Sequence, residues 1–291
     1  MIINETHQTV QLMDGRTLGY VEWGAPQGTP VFAFHGSPGS RLDIFMAPLE
    51  EVSGLNARLI VPDRPGIGRS DFQPGRKLLD WPADVVELAG ALGIERFAVL
   101  GVSGGGPYAA ACAYQIPECL TRAAIVSGVA PLNVPGITRQ MGQSRLFFTL
   151  ARLSPSLAGW MMRSLKSGLE RDPGRIIAQV TNTLPDPDRE ILAQPQVQQA
   201  FMRTLREALR NGTQGVSWDT AVIAREWGFR PEEISLPVKI FHGEADTNAP
   251  VAMGRYMANA IPNAQARFFP GEGHFSTFVK YLEEIVQALV D

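Results

Sequence analysis

Two cysteines, Cys112 and Cys119, and four histidines are all the thiol and imidazole groups that the 291-residue sequence holds. Two thiols are too few for a disulfide framework, and neither their spacing nor a neighbouring histidine fits a zinc site, so no metal is expected. Charge is also sparse, at 19% charged residues and a net −3. That balance offers no broad basic surface to displace counterions from phosphates; nucleic acid is not an expected partner, and a small-molecule substrate is. Long apolar runs are missing. The most apolar stretch, LFFTLARLSPSLAGWMM from Leu146 to Met162, is interrupted by Arg152 and Pro155 and is no candidate for a membrane span. The opening MIINETHQTVQLMDG has neither the basic nor the apolar region of a signal peptide, so a cytoplasmic chain is expected. Internal repeats and low-complexity segments are absent as well.

What the chain does have is 45% hydrophobic residues, enough for one large domain or a domain with a substantial insertion. Up to Pro131, short apolar runs alternate with helical patterns, which predicts βα units in a mainly parallel sheet flanked by helices. The predicted strands are TVQLM, TLGYVEWG, VFAFHG, ARLIVPD, FAVLGV and RAAIVSG, the first two joined by a hairpin turn at Asp14 and Gly15. WPADVVELAGAL, from Trp81 to Leu92, has apolar positions at helical spacing. From Pro131 to Arg230 the strand signal disappears. The βα rhythm resumes in PVKIFHGEAD, a helix over VAMGRYMANAI, the strand ARFFPG and a terminal helix from Phe275. The expected division is a core of residues 1–130 and 231–291 with a helical cap, 131–230, inserted after the sixth strand.

Gly101-Val102-Ser103-Gly104-Gly105 fits the G-x-S-x-G elbow, in which a strained strand-to-helix turn lifts a serine above the sheet edge. Its bland reading is a tight turn that needs glycine for geometry alone. A neutral serine needs a base, and the base needs an acid to fix its tautomer. Of the histidines, His7 is in the N-terminal tail, and His35 and His242 end strands and precede glycines. His274, in the PGEGHF loop after the last strand, is the candidate base. Asp246, in HGEADTNAP, is the candidate acid, with Glu244 as its rival. The N–H groups of Ser37, in FHGSPG, and of Gly104, the residue after the serine, are the candidate donors to an oxyanion. Pro38 has no N–H and only shapes its loop.

Five motifs, HGSPG, DRPGIGRSD, GVSGG, HGEAD and GEGHF, stand in the order and approximate spacing of the α/β-hydrolase superfamily. The chain resembles the branch of that superfamily with a helical cap after the sixth strand. The resemblance covers almost the whole chain, and it implies that Asp63, Gly66, Gly68 and Ser70 form a structural turn under the active site. Serine at the elbow argues against the haloalkane-dehalogenase and epoxide-hydrolase branches, which attack with a carboxylate.

The expected function is therefore a serine hydrolase, most simply a carboxylesterase for a small or medium apolar ester, working without a cofactor. A proline-iminopeptidase-like aminopeptidase is the runner-up: HGSPG is close to that family's HGGPG, although GVSGG lacks the tryptophan of its GGSWG. A ligand receptor that retains the fold is the third reading. Leu146, Phe147, Phe148, Leu153, Trp160, Met161 and Met162 fit either an apolar pocket lining or the cap's own core. Arg152, Arg163 and Arg171 fit either an acidic substrate or an exposed helical face. The oligomeric state is not readable, because an apolar cap patch serves a dimer contact as well as a pocket wall.

Overall fold

A computed structural model describes residues 8–52, 54–142 and 144–291; His7 lies outside the described residues. The eight strands are β1 (Gln8–Gln11), β2 (Thr17–Gly24), β3 (Thr29–Phe34), β4 (Ala57–Pro62), β5 (Phe97–Val102), β6 (Leu120–Val126), β7 (Val238–Gly243) and β8 (Gln265–Phe269). They form one sheet in the order β1-β2-β4-β3-β5-β6-β7-β8. β1 and β2 pair antiparallel, as do β2 and β4, and every other pairing is parallel. The predicted hairpin closes at Gly15, whose φ is 87° and whose N–H donates to the Leu12 carbonyl at 2.9 Å.

Central strands of a parallel sheet are covered on both faces, which is why they read as unbroken apolar runs. In β5, Phe97 and Val99 face one core and Ala98 and Leu100 the other. The first core is built with α2 (Trp81–Ala91), α3 (Gly106–Gln115) and α10 (Val251–Ala260), through residues such as Trp81, Leu88, Tyr108 and Met253. The second lies under α11 (His274–Val290), through Phe278, Leu282, Ile285 and Leu289. A single helical turn, α1 (Leu49–Val52), precedes β4. The strand predicted as VFAFHG ends at Phe34, two residues early. His35 to Gly39 are thereby free to turn over the sheet edge.

Between β6 and β7 the chain inserts α4 (Ser144–Leu153), α5 (Pro155–Arg171), α6 (Pro173–Thr181), α7 (Asp186–Leu192), α8 (Pro195–Ala208) and α9 (Gln214–Ala224). α4, α5 and α9 pack together; α8 lies on a 3-10 turn over Arg41–Met46, and α7 on α11. Phe147, Phe148 and Met162 are buried in these contacts, whereas Leu153 and Trp160 are 71% and 67% exposed and face outward. Arg152, Arg163 and Arg171 are exposed. Among the described residues, no helix is long and apolar enough to cross a membrane.

Candidate active site

Ser103 directly follows β5 and begins a 3-10 turn, Ser103–Gly105, that runs into α3. Its φ is 54°, in the left-handed region that non-glycine residues seldom occupy. Two neighbouring glycines make the turn possible for steric reasons. A Cβ on Gly101 would stand 2.4 Å from the Gly105 carbonyl oxygen, and one on Gly105 would stand 2.1 Å from the Phe34 oxygen. The elbow is thus pressed against both α3 and the end of β3, and the serine is the side chain that this packing leaves at the top.

The loop after β3 passes beside it. A Cβ on Gly36 would be 3.5 Å from the Ser103 Cβ, and one on Gly104 would be 3.1 Å from the Ser37 nitrogen. Ser37 and Gly104 are therefore adjacent, as two donors to one oxygen need to be. The Ser37 N–H has no acceptor among the described residues. The Ser37–Pro38 peptide is cis. Ser37 Oγ lies 3.1 Å from Thr220 Oγ1 on α9.

Asp246 follows β7 and His274 opens α11 after β8, so both occupy the carboxyl edge that holds Ser103. His274 Nδ1 lies 2.7 Å from Asp246 Oδ2. Asp246 Oδ1 accepts the N–H groups of Asn248 and Ala249 at 2.8 and 2.9 Å, which fixes the carboxylate. Glu244, the rival acid, is turned to the surface and pairs with Arg255 at 2.8 Å. His274 is only 8% exposed. Burial alone would depress its pKa, but the charge and hydrogen bond of Asp246, followed by the charges of Asp188 and Asp43, raise it above the ordinary histidine value. The remaining described histidines go the other way. His35 is held neutral first by burial and then by the Arg64 charge, and His242 by burial.

Several buried polar groups around this edge had no visible signal in the sequence. Asp188, on α7, is fully buried and accepts three N–H groups at the start of α11: His274 at 2.8 Å, Phe275 at 2.9 Å and Ser276 at 2.9 Å. Asp43 accepts the Gly36 N–H at 2.8 Å and the hydroxyl of Thr204 on α8. Asp219, on α9, accepts two bonds from Arg64, at 2.8 Å each, and one each from Arg76 and Tyr108, at 2.7 Å. Arg64 in turn donates to the His35 and Gly36 carbonyls at 2.5 and 2.9 Å, so α9 braces the loop that carries Ser37.

The DRPGIGRSD segment makes a tight turn next to this brace. The Asp63 carboxylate accepts the Arg41 and Arg69 N–H groups at 2.8 and 3.0 Å, and Ser70 Oγ donates to the Asp63 carbonyl at 2.7 Å. Gly66 and Gly68 have φ of 84° and 55°. Arg152 lines a cavity of about 520 Å³ with Arg76, Trp218 and Arg225, and none of Ser103, Asp246 and His274 lines it. Among the described residues, no three His, Cys, Asp or Glu side chains are grouped to hold a metal ion. Cys112 is buried, and burial pushes its thiol pKa up, which leaves it a poor nucleophile.

The model of the alpha/beta hydrolase family matches residues 31–288. An uncharacterized protein of Mycobacterium tuberculosis is 28% identical over 240 residues, which are 77% of this chain and 65% of that protein. The chain thus spans slightly under two thirds of the length of that relative. A proline iminopeptidase of Xylella fastidiosa is 27% identical over 308 residues, 97% of this chain and 95% of the relative. Among solved structures, an esterase from Thermogutta terrifontis superposes with a TM-score of 0.69 at 21% identity, covering 97% of both chains, a likeness of fold. With its family model matched over most of its length, its sheet order and its elbow, the chain belongs to the alpha/beta hydrolase family.

Proposed function

We propose that the chain is a serine hydrolase that cleaves a small or medium apolar carboxylic ester through an acyl-enzyme. The observation that carries this reading is the 2.7 Å Asp246–His274 bond on the edge where Ser103 sits at positive φ. His274, with Nδ1–H donating to Asp246, has Nε2 available to take the Ser103 proton as Oγ attacks the ester carbonyl. The N–H groups of Ser37 and Gly104 receive the negative oxygen. Collapse of the tetrahedral intermediate breaks the ester C–O bond, and His274 returns the proton to the departing alcohol. Water then attacks the acyl-Ser103 ester with the same base, releasing the acid and restoring the serine. Each of these steps uses groups of the chain and one water.

In this reading residues 1–130 and 231–291 form the catalytic core and 131–230 the cap over it. The cap selects the substrate; Phe147, Phe148 and Met162 belong to its own packing and leave that selection to other residues. A second reading, an aminopeptidase of the proline-iminopeptidase type, is favoured by the near-complete mutual coverage with the Xylella fastidiosa relative. Turnover of p-nitrophenyl esters against prolyl arylamides separates the two.

The experiment that tests the reading is labelling with a fluorophosphonate, which imitates the tetrahedral intermediate and does not depend on knowing the substrate. The expected adduct is on Ser103, located by peptide mass spectrometry, and it is lost in Ser103→Ala and in His274→Ala. Absence of an adduct in folded protein, together with no turnover of either substrate class, overturns the hydrolase reading and favours a ligand-binding protein.

A further inference from the structure

The charge that the inserted helices deliver to the candidate base is the feature that the proposed mechanism leaves unused. Helix caps are normally local: the residue just before the helix supplies a side-chain oxygen to its first N–H groups. At the start of α11 that position is Gly273, which has no side chain to offer. The acceptor comes instead from Asp188, 86 residues earlier in sequence, on α7. Gly273 is shaped to admit it, because a Cβ there would stand 2.4 to 2.5 Å from the Asp188 carboxylate atoms.

Placement matters because His274 is the first residue of α11. The positive end of a helix dipole disfavours an imidazolium beside it, and catalysis requires that imidazolium to form and persist. A buried carboxylate on that pole offsets the field. We propose that Asp188 is a positioning residue for the base: its carboxylate, delivered by α7, orients the first turn of α11 and neutralises the helix end beside the His274 ring. The inference rests on the assignment of His274 as base under Proposed function. Its consequence is that seating of the insertion, and not only closure over a substrate, sets the reactivity of Ser103.

The titratable groups around His274 are Asp246 on the loop after β7, Asp188 on α7, Asp43 on the 3-10 turn and His242 on β7. Burial holds the Asp188 carboxyl above the ordinary carboxylate value, the Ser276 N–H and the His274 charge offset part of that rise, and the last of these couples the two titrations. Asp188→Asn keeps the volume and one acceptor oxygen while removing the charge.

The test measures the rate of fluorophosphonate labelling of Ser103 from pH 5 to 9 in the full chain. In Asp188→Asn the acid limb is expected to move down by about half a pH unit, with a plateau about three- to tenfold lower. A cap that only stabilises the helix lowers the melting temperature but leaves the limb in place. Folded Asp188→Asn protein with the wild-type limb overturns the inference. Asp188→Ser serves as a second neutral cap if the asparagine variant does not fold. In the unsubstituted protein the Asp188 carboxyl carbon-13 resonance is expected to move in step with His274 titration, and a resonance indifferent to it also overturns the proposal. Wild-type protein that takes no label at Ser103 and turns over neither substrate class refutes the hydrolase reading instead, and the resonance measurement then decides Asp188 separately.

Discussion

Asp219→Ala is expected to weaken both the fold and the site. The Asp219 carboxylate is wholly buried between Arg64 and Arg76, whose side chains are also out of solvent, and the Tyr108 hydroxyl completes its shell. Burial alone would raise its pKa, but the charge and hydrogen bonds of Arg64 and then the charge of Arg76 hold it well below the usual carboxylate range. Removing one partner of a buried ion pair costs about 3–5 kcal/mol, because the remaining charge is stranded. Here two guanidinium groups lose a carboxylate that they share. At roughly 2.1 cal/mol/K of unfolding entropy per residue, a 291-residue chain loses about 1.6 °C of Tm per kcal/mol, so Tm should fall by about 5–8 °C. A depressed carboxyl contributes its stability above the unfolded value and loses it only as pH falls through the folded one. The deficit should therefore be the same at pH 6 and pH 8. Because Arg64 also holds the His35 and Gly36 carbonyls, the folded variant should label more slowly at Ser103. Differential scanning calorimetry gives the first quantity and the fluorophosphonate rate the second. A Tm within about 2 °C of wild type would refute the reasoning, since the two arginines would then have found other partners or water.

The elbow and the histidines supply two further expectations. Gly105→Ala places a Cβ 2.1 Å from the Phe34 carbonyl oxygen at an ordinary φ of −78°, so its cost is purely steric; a loss of about 1–3 kcal/mol by urea denaturation and of labelling at Ser103 is expected. Gly90→Ala, on α2 with open space around its Cβ, should instead gain about 0.5–1 kcal/mol, and equal effects at the two positions would contradict the packing described here. His35 and His242 are held neutral in the fold, so below the ordinary histidine pKa the unfolded chain takes up protons that the fold refuses, and stability should fall by up to about 2.7 kcal/mol per pH unit for the two. His274 has the opposite sign: its contribution is complete below the ordinary value and is lost as pH rises through its raised one. Denaturation midpoints from pH 5 to 9 should accordingly peak close to the ordinary histidine pKa, and a profile that rises steadily to pH 9 would rule this out.

The parts of the molecule legible in the sequence are those whose cause is local. β5 reads as a strand because FAVLGV is buried on both faces, and the elbow reads as an elbow because glycines at Gly101 and Gly105 answer contacts within a few residues or with the adjacent strand. His274 emerged because histidines are scarce and because only one of them follows the last strand. Asp188 had no such signature. It lies in an ordinary DPDRE helix start, and nothing in that segment separates it from Asp186, which stays on the surface beside Arg189. Its partners are 86 to 88 residues away. Asp219 and Thr204 were hidden for the same reason, on helices whose periodicity marks apolar faces but not a single polar residue turned inward. Arg64 was masked by the turn it belongs to: the glycines of DRPGIGRSD explain the backbone, and the arginine's reach across to α9 is a tertiary fact.

These long-range bonds tie the insertion to the sheet edge that carries Ser103. Asp188 on α7, Thr204 on α8, and Asp219 and Thr220 on α9 each put a polar side chain on the loops of the catalytic edge. Swinging α7, α8 and α9 away as one lid would exchange those bonds for bonds to water, at about 0.5–1.5 kcal/mol for each neutral pair and about 1.5–3 kcal/mol for each bond to a charged group. A motion of that size is incompatible with a fold only 5–15 kcal/mol more stable than its unfolded chain. The side-chain hydrogen bonds of α6, by contrast, stay local: Arg175 to Asp172 and Thr181 to Ile177. The helix before it, α5, is capped by its own Ser154. Among the described residues, no side chain of α5 or α6 makes a polar bond to the core, and α5 is held instead by apolar packing of Ala158 and Met162 against its neighbours. The polar seating of the insertion on the sheet edge is thus carried by α7, α8 and α9, with α4 adding the bond from the Ser144 hydroxyl to the Asn248 carbonyl at 2.9 Å.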